Sequence, residues 1–141
     1  MLSVPATHAD LLERPLLASL ATVSTDGAPL VNPMWFLWDW ESGVVKMTHT
    51  NRRHNYRCIL REPRVSLSIF DPDDGYRYLQ VRGVVTRIEP DPTGRFYQEL
   101  ERRYFGHAAE VRDRDVRVVL FIEPTAYKVR SGSRTSSEEE T

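Results

Sequence analysis

Cysteine and long apolar runs are almost missing from this 141-residue sequence. Cys58 is the only cysteine, so no internal disulfide can form, which is typical of proteins in a reducing compartment. No apolar run approaches the ~18 residues that cross a bilayer, and the first residues lack the charged-then-apolar pattern of a secretory signal. We therefore expect a cytoplasmic protein with no membrane partner.

Lysine is also scarce. Lys46 and Lys128 are the only two, and arginine supplies the remaining positive charge. The 19 Lys and Arg residues against 20 Asp and Glu residues give a net charge of −1. A nucleic-acid-binding domain would carry a basic excess, so nucleic acid is not an expected partner. Any cluster of arginines in this chain is a local feature that needs a local explanation.

The motifs of nucleophilic, metal and phosphate-loop chemistry are absent as well. Cys58 lies at an apolar-leaning position of a candidate helix and is expected in the core. His49 and His54 lack the spacing of zinc ligands, and Pro72 interrupts the acidic loop 71–75, whose spacing does not suit calcium. No glycine-rich phosphate loop is present. We expect no bound metal, and the sequence identifies no catalytic residue.

What is present is a series of alternating apolar segments separated by turn residues. Asp26-Gly27 between two apolar runs predicts a β-hairpin. The expected strands are two within 16–38, joined at 25–28, and one each at 44–50, 65–71, 76–89 and 115–130. The expected helices are 7–13, 52–62 and 90–106. Strands that come in hairpins predict a mainly β fold, an antiparallel sheet closed into a small barrel with flanking helices.

The chain is expected to form one domain. Residues 1–130 carry all the periodic segments and are expected to form a single cofactor-binding barrel. Residues 131–141, "SGSRTSSEEET", are polar and acidic, a composition typical of disorder. We therefore expect a disordered tail after the barrel.

Arginines crowd the candidate helix that follows the third predicted strand. Asn51 is a suitable N-cap, which would place Arg52 and Arg53 in the first turn, where the helix dipole favours acids. Arg53, Arg57 and Arg61 follow at i, i+4 and i+8, and each such pair of like charges costs an isolated helix about 0.2–0.5 kcal/mol. A bound anion would relieve both effects, because free N–H groups at a helix start bind phosphates and arginines add charge-assisted hydrogen bonds. The alternative is that these arginines reach water or pair with surface acids.

Three stretches of the sequence carry a family resemblance. "LATVSTDGAP", "REPRVSLSIFD" and "YRYLQVRG" resemble, in order and spacing, the pyridoxamine 5′-phosphate oxidase-like split-barrel superfamily, and in particular its branch of oxidoreductases that use the deazaflavin coenzyme F420. The resemblance runs from about Leu16 to Arg130. It implies a six-stranded antiparallel split β-barrel of the FMN-binding type, assembled as a homodimer with two cofactor clefts at the interface.

The resemblance also implies a cofactor site. The phosphate would lie at the start of the helix after the third strand, where the family motif Arg-x-Lys-x-x-Asn-Leu corresponds to Arg53-His54-Asn55-Tyr56-Arg57-Cys58-Ile59. Asn55 therefore stands where the family has lysine, and Cys58 where it has asparagine. The flat ring would lie along Asn32 to Trp35 and Met47 to Thr50, while Tyr76 and Tyr78 would come from the edge near the partner subunit. The implied cofactor-binding residues are Asn32, Pro33, Met34, Trp35, Met47, Thr48, His49, Thr50, Arg52, Arg53, Asn55, Arg57, Tyr76 and Tyr78.

Three functions agree with this reading. The first is an F420-dependent oxidoreductase that transfers a hydride between the deazaflavin and a small organic acceptor. The second is an FMN-binding oxidase or reductase of the same fold, and the third is a non-enzymatic flavin or deazaflavin carrier. F420 has a long anionic tail that suits an extended basic strip, so Arg53, Arg57 and Arg61 favour F420 over FMN. The acceptor stays open among quinones, enones, tetrapyrroles and biosynthetic intermediates, and vitamin B6 oxidation is not expected.

Overall fold

The structure, a computed structural model, describes residues 2–132 of the chain. The predicted tail therefore lies almost entirely outside the described residues, except that Ser131 still belongs to the last strand. The strands are β1 (Ala18–Val23), β2 (Pro29–Met34), β3 (Leu37–Asp39), β4 (Val44–Thr50), β5 (Arg64–Asp71), β6 (Asp74–Pro90) and β7 (Arg117–Ser131). The helices are α1 (Asp10–Glu13), α2 (His54–Arg61) and α3 (Arg95–Phe105), with short 3-10 turns at Ala6–His8 and Arg114–Val116. No helix within 2–132 is both long and apolar enough to cross a membrane.

The strands form one antiparallel sheet in the order β2-β1-β5-β6-β7-β4-β3. Its two edge strands, β2 and β3, are consecutive in the chain and only two residues apart. The sheet must therefore curl until its edges approach, which makes it a split barrel. The predicted fold class is confirmed.

The sheet has seven strands where the sequence analysis expected six. The additional strand arises because the predicted second strand is interrupted at Trp35 and Phe36. The N–H of Phe36 donates to the Tyr104 hydroxyl at 3.0 Å, and its carbonyl accepts from Arg103 Nε at 3.1 Å. Because α3 side chains occupy the backbone groups of Phe36, the ladder breaks there and the chain passes from one sheet edge to the other.

The core follows the period-two pattern of the strands. Inward-facing residues alternate with outward-facing ones, as in the buried Val65, Leu67 and Ile69 of β5. Gly83 marks a bulge, since the pairing of β6 with β7 shifts register between Arg82 and Gly83. A Cβ at Gly83 would lie 2.7 Å from Ile122 Cγ2, so only glycine fits.

Helix α2 begins later than the sequence analysis expected. The N-cap is Arg53 and makes no side-chain capping bond, whereas Asn51, the predicted N-cap, donates its N–H to the Val116 carbonyl at 3.0 Å. This hydrogen bond holds Asn51 against Val116, which directly precedes β7. The helix therefore begins two residues later than predicted. Cys58 is fully buried, as predicted, whereas Leu60 of the same helix is 60% exposed.

Helix α3 is capped from a distance. It begins at Arg95 rather than near 91, yet the buried Asp91 still caps it by accepting the N–H groups of Phe96 and Tyr97 at 3.3 and 3.2 Å. Gly106 closes the helix in the left-handed conformation, at the end of the predicted range. Because both of its ends are capped, α3 has a defined position, and it places Tyr97 and Tyr104 at the edge of the barrel.

Candidate functional site

Two adjoining clefts lie where β2 meets the start of α2. The helix-start cleft has a volume of about 380 Å³ and the Trp35 cleft about 290 Å³. The helix-start cleft is lined by Leu30, Val31, Asn32, Pro33, Met34, Arg53, His54 and Asn55. The Trp35 cleft is lined by Leu17, Pro33, Met34, Trp35, Thr48, Arg53, Tyr97 and Arg117. Since Pro33, Met34 and Arg53 belong to both, the two clefts form one continuous groove.

Half of the sequence-predicted site residues meet in this groove. They come from β2 and the segment after it, from β4 and from the start of α2, which are far apart in sequence. These residues are Asn32, Pro33, Met34, Trp35, Thr48, Arg53 and Asn55. The other seven predicted residues line neither cleft.

The start of α2 is electropositive. The helix has no acid in its first turn, and its N-cap makes no side-chain bond to the first N–H groups. Arg52, Arg53 and Arg57 are exposed, and within residues 2–132 none of them forms an ion pair with a carboxylate. Pairing with surface acids therefore does not explain Arg52 and Arg57, whereas Arg53 lies near enough to Asp113 to help lower the pKa of that carboxyl. An anion bound at this helix end would accept hydrogen bonds from the first N–H groups of α2 and would lie beside exposed arginine side chains.

Arg61 departs from this group. Its Nη1 donates to the Thr25 carbonyl in the β1–β2 turn. The expected basic strip along α2 is therefore shorter than the sequence suggested, and its exposed, uncommitted part consists of Arg52, Arg53 and Arg57.

Alternate residues of β4 face opposite sides of the sheet. Thr48 is 9% exposed and lines the Trp35 cleft, and its hydroxyl has no hydrogen-bond partner among the described residues. Met47 is fully buried in the core and lines neither cleft. Met47 therefore has a packing role. Successive side chains of a strand point to opposite faces of the sheet, so Met47 points away from the face that carries Thr48.

His49 is buried beside the groove. Its Nδ1 accepts the Thr50 N–H at 2.8 Å, and its ring lies near enough to the Asn55 side chain for that amide to oppose the lowering of the His49 pKa. Burial, followed by the positive charge of Arg53, lowers the pKa of His49 to about 4. His49 is thus a neutral ring at pH 7, and Thr50, also buried, lies beyond it at the end of the strand.

Tyr97 of α3 lines the Trp35 cleft, and further aromatic side chains of α3 contact Trp35. Trp35 stacks on Tyr104 with ring centroids 5.3 Å apart, and it contacts Tyr97 at 5.9 Å and Phe105 at 5.3 Å. Tyr97 was not among the site residues predicted from the sequence. Residues 97, 100 and 104 follow a helical period, and this spacing places Tyr97 on the same side of the helix as Tyr104.

Arg117 is another residue of the groove that was not predicted from the sequence. Its Nε and Nη2 donate to the two carboxylate oxygens of Asp113, both at 2.9 Å, and its guanidinium lies 4.2 Å from the centroid of the Tyr97 ring. Arg117 reaches the groove because β7 pairs with β4, which places it opposite Thr50. No local pattern in the sequence indicates that pairing.

Tyr76 and Tyr78 lie at the beginning of β6 and do not reach the groove of their own chain. Tyr76 is 57% exposed, and the Arg130 guanidinium lies 5.1 Å from its ring centroid.

A larger cleft of about 550 Å³ lies elsewhere, between β1, β5 and β6. Its lining mixes aliphatic and polar residues and includes Arg82 and Arg64, of which Arg64 is paired with Glu62. None of the residues predicted for the cofactor site lines this cleft.

Comparison with known proteins agrees with this architecture. The chain matches the pyridoxamine 5′-phosphate oxidase family model over residues 4–131. It is similar to a solved structure named F420 reductase, with 50% sequence identity, a TM-score of 0.84, and coverage of 89% of this chain and 98% of that chain. No curated protein matches the chain.

Two more distant solved structures share the fold. A conserved hypothetical protein from Mycobacterium tuberculosis is 21% identical with a TM-score of 0.74, covering 98% of this chain and 96% of that chain. The general stress protein 26 from Bacillus anthracis is 18% identical with a TM-score of 0.66, covering 90% and 93%. At these identities the likeness concerns the fold alone.

Proposed function

The chain belongs to the pyridoxamine 5′-phosphate oxidase family, and we propose that within it the protein is an F420-dependent oxidoreductase that transfers a hydride between F420 and a small organic acceptor. The observation that carries this proposal is the 50% identity, over nearly the full length of both chains, to the structure named F420 reductase. A relative this similar favours the same cofactor more strongly than the family name does.

The residues of the groove suit such a cofactor. F420 combines a flat ring, a phosphodiester and an anionic oligoglutamate tail. Arg53 and the first N–H groups of α2 would hold the phosphodiester, and Arg52 and Arg57 would face the tail. The buried hydroxyl of Thr48, which has no protein partner among the described residues, is free to bind a polar group of a ligand. Asn55, in place of the family lysine, would contribute a neutral donor.

Bound F420 would supply the hydride chemistry, and the protein would supply binding and orientation. Met34 and Trp35 form an apolar wall against which a flat ring can lie. Trp35 is itself held by its stack on Tyr104 and by α3, so the wall is rigid. A rigid wall keeps the ring in one orientation and excludes water from one of its faces.

We also propose a homodimer, built through the outer face of the sheet. Large apolar side chains on and beside that face are more than half exposed, namely Leu17, Val31, Phe70 and Tyr76 at 54%, 67%, 55% and 57%. Exposed apolar residues clustered on one face are typical of an interaction surface. A second copy packed there would cover them and would bring its Tyr76 and Tyr78 toward the groove of the first.

FMN is the second candidate cofactor. Because Arg61 is tied to Thr25, the exposed arginines form a compact group rather than a long strip. A compact group suits a terminal phosphate such as that of FMN. An FMN-dependent oxidoreductase is therefore the alternative, and a carrier without turnover would use the same groove.

Parallel titrations with F420 and FMN, followed by fluorescence, test the proposal. Screening shortens from about 10 Å at 0.1 M salt to about 3 Å at 1 M, so F420 binding should weaken with salt, and more so for longer tails. Arg57→Ala should flatten this salt response, whereas Arg61→Ala is a matched control that should leave it unchanged. Tighter binding of FMN than of F420 at every salt concentration would favour the alternative, and hydride transfer itself is tested by oxidation of reduced F420 with candidate acceptors.

A further inference from the structure

The Trp35 cleft contains one positive charge, that of Arg117, which the helix-start assignment does not use. Arg117 lines the cleft from the start of β7, Arg53 from the start of α2 and Thr48 from β4. Both arginines lower the pKa of the buried His49, which indicates that their positive charges converge on one region. Asp113, whose pKa both arginines lower, neutralises one of the two charges, so the region keeps a net positive charge that a bound anion would stabilise.

Arg117 is positioned before any ligand binds. Two of its nitrogens are held by Asp113 at 2.9 Å, one face of its guanidinium is covered by Tyr97, and its side chain is only 11% exposed. Its third nitrogen, Nη1, makes no hydrogen bond within residues 2–132. A guanidinium fixed in this way loses little conformational entropy when it binds an oxyanion, in contrast to the exposed Arg53.

Thr48 provides an independent indication. Its hydroxyl is buried, lines the same cleft and has no partner in the described part of the chain. A buried hydroxyl without a partner destabilises the fold. A ligand in this cleft, which two arginines also line, would supply the missing hydrogen bond.

We propose that Arg117, held by Asp113 and Tyr97, forms with Arg53 and the Thr48 hydroxyl an oxyanion subsite in the Trp35 cleft. The inference rests on the groove being the ligand site of the proposed function. Two ligands could supply the oxyanion. One is the phosphodiester of F420, and Arg117 would then replace the positive charge that is lost because Asn55 stands in place of the family lysine. The other is an acid group of the acceptor.

The experiment compares the full chain with three variants, Arg117→Gln, Thr48→Val and the control Arg87→Gln. Arg87 is a matched control because it also lies over an aromatic ring, 3.9 Å from the Phe121 centroid, and beside a carboxylate, but outside both clefts. The probes are F420, its phosphate-free deazaflavin riboside, inorganic phosphate and benzoate, with binding followed by deazaflavin or tryptophan fluorescence.

If the cofactor supplies the oxyanion, Arg117→Gln should weaken F420 about 10- to 150-fold and Thr48→Val about 2- to 12-fold, while the riboside binds unchanged. If the acceptor supplies it, F420 binding should be unchanged, and benzoate binding to the F420-loaded protein should weaken instead. Equal binding of F420, inorganic phosphate and benzoate by wild type and Arg117→Gln would overturn the proposal. If wild type binds no F420, the proposed function fails, and loss of phosphate binding in Arg117→Gln would still support the subsite.

Thr48→Val keeps the proposal testable should Arg117→Gln fail to fold. Removal of an unpartnered buried hydroxyl should leave the thermal midpoint unchanged or raise it, while ligand binding weakens. A purely structural role for Thr48 predicts the opposite, a lower midpoint with binding intact. That result would contradict the subsite.

Discussion

The buried His49 should make stability depend on pH between about 4 and 6.5. Its pKa is lowered to about 4 in the folded chain, mainly by burial, from the ordinary value of 6.5. Between these two values the unfolded chain binds a proton at this position and the folded chain does not. The free energy of unfolding must therefore fall as the pH is lowered from 7 toward 4, and His49 adds no further loss below that range.

The size of the effect follows from the two pKa values. At pH 5 the unfolded histidine is almost fully protonated and the folded one is almost fully neutral, which costs about 2 kcal/mol relative to pH 7. A small domain has only about 5–15 kcal/mol of stability. A loss of this size is therefore easily measured.

Urea unfolding at pH 7, 6 and 5 is the assay, with His49→Gln as the comparison. Glutamine can accept the Thr50 N–H but cannot titrate, so the difference in slope between the two proteins isolates His49. A His49 pKa near 6.5 by NMR, or equal slopes in wild type and His49→Gln, would refute the reasoning. Arg53→Ala should raise the His49 pKa and reduce the slope, because the charge of Arg53 is the second cause of the shift.

Three further predictions concern binding, capping and assembly. Arg53→Ala should weaken cofactor binding about 10- to 150-fold, the loss of one charge-assisted contact, whereas Arg61→Ala should change affinity little; equal titration curves for wild type and Arg53→Ala would contradict the helix-start site. Asp91→Ala should lower the free energy of unfolding by about 0.5–2 kcal/mol in urea, since it removes the acceptor for two N–H groups of α3, and an unchanged midpoint would argue against the cap. Phe70→Glu should shift the protein from dimer to monomer in light scattering while Leu2→Glu does not, and a wild-type monomer at micromolar concentration would exclude the proposed interface.

Much of the fold could be predicted because its signals are local. The Asp26-Gly27 turn, the alternation in β5 and the stop at Gly106 each depend on neighbouring residues. The start of α2 was placed two residues early because the Asn51 N–H bonds to Val116, a contact from a distant strand. The break at Phe36 was missed for the same reason, since side chains of α3 cause it.

The site divides in the same way. Arg53, Asn55 and the β2 residues were found because they lie on motifs that a sequence displays. Tyr97 and Arg117 were not, because their relevance depends on which elements lie beside the groove. The bond of Arg61 to Thr25 is likewise not revealed by the helix spacing of the arginines.

The sequence by itself determined the alternation that makes this chain a barrel, the turns that pair its hairpins and the excess of arginine near one helix start. These follow from backbone geometry and from the periods of two and 3.6, which act over a few residues. Only the tertiary structure decided that β7 lies beside β4, that Arg117 therefore stands opposite Thr50, and that Asp113 and Tyr97 hold it at the cleft. Such pairings are selected by the packing of the whole barrel, in which distant segments compete for the same neighbours, so no single segment encodes them.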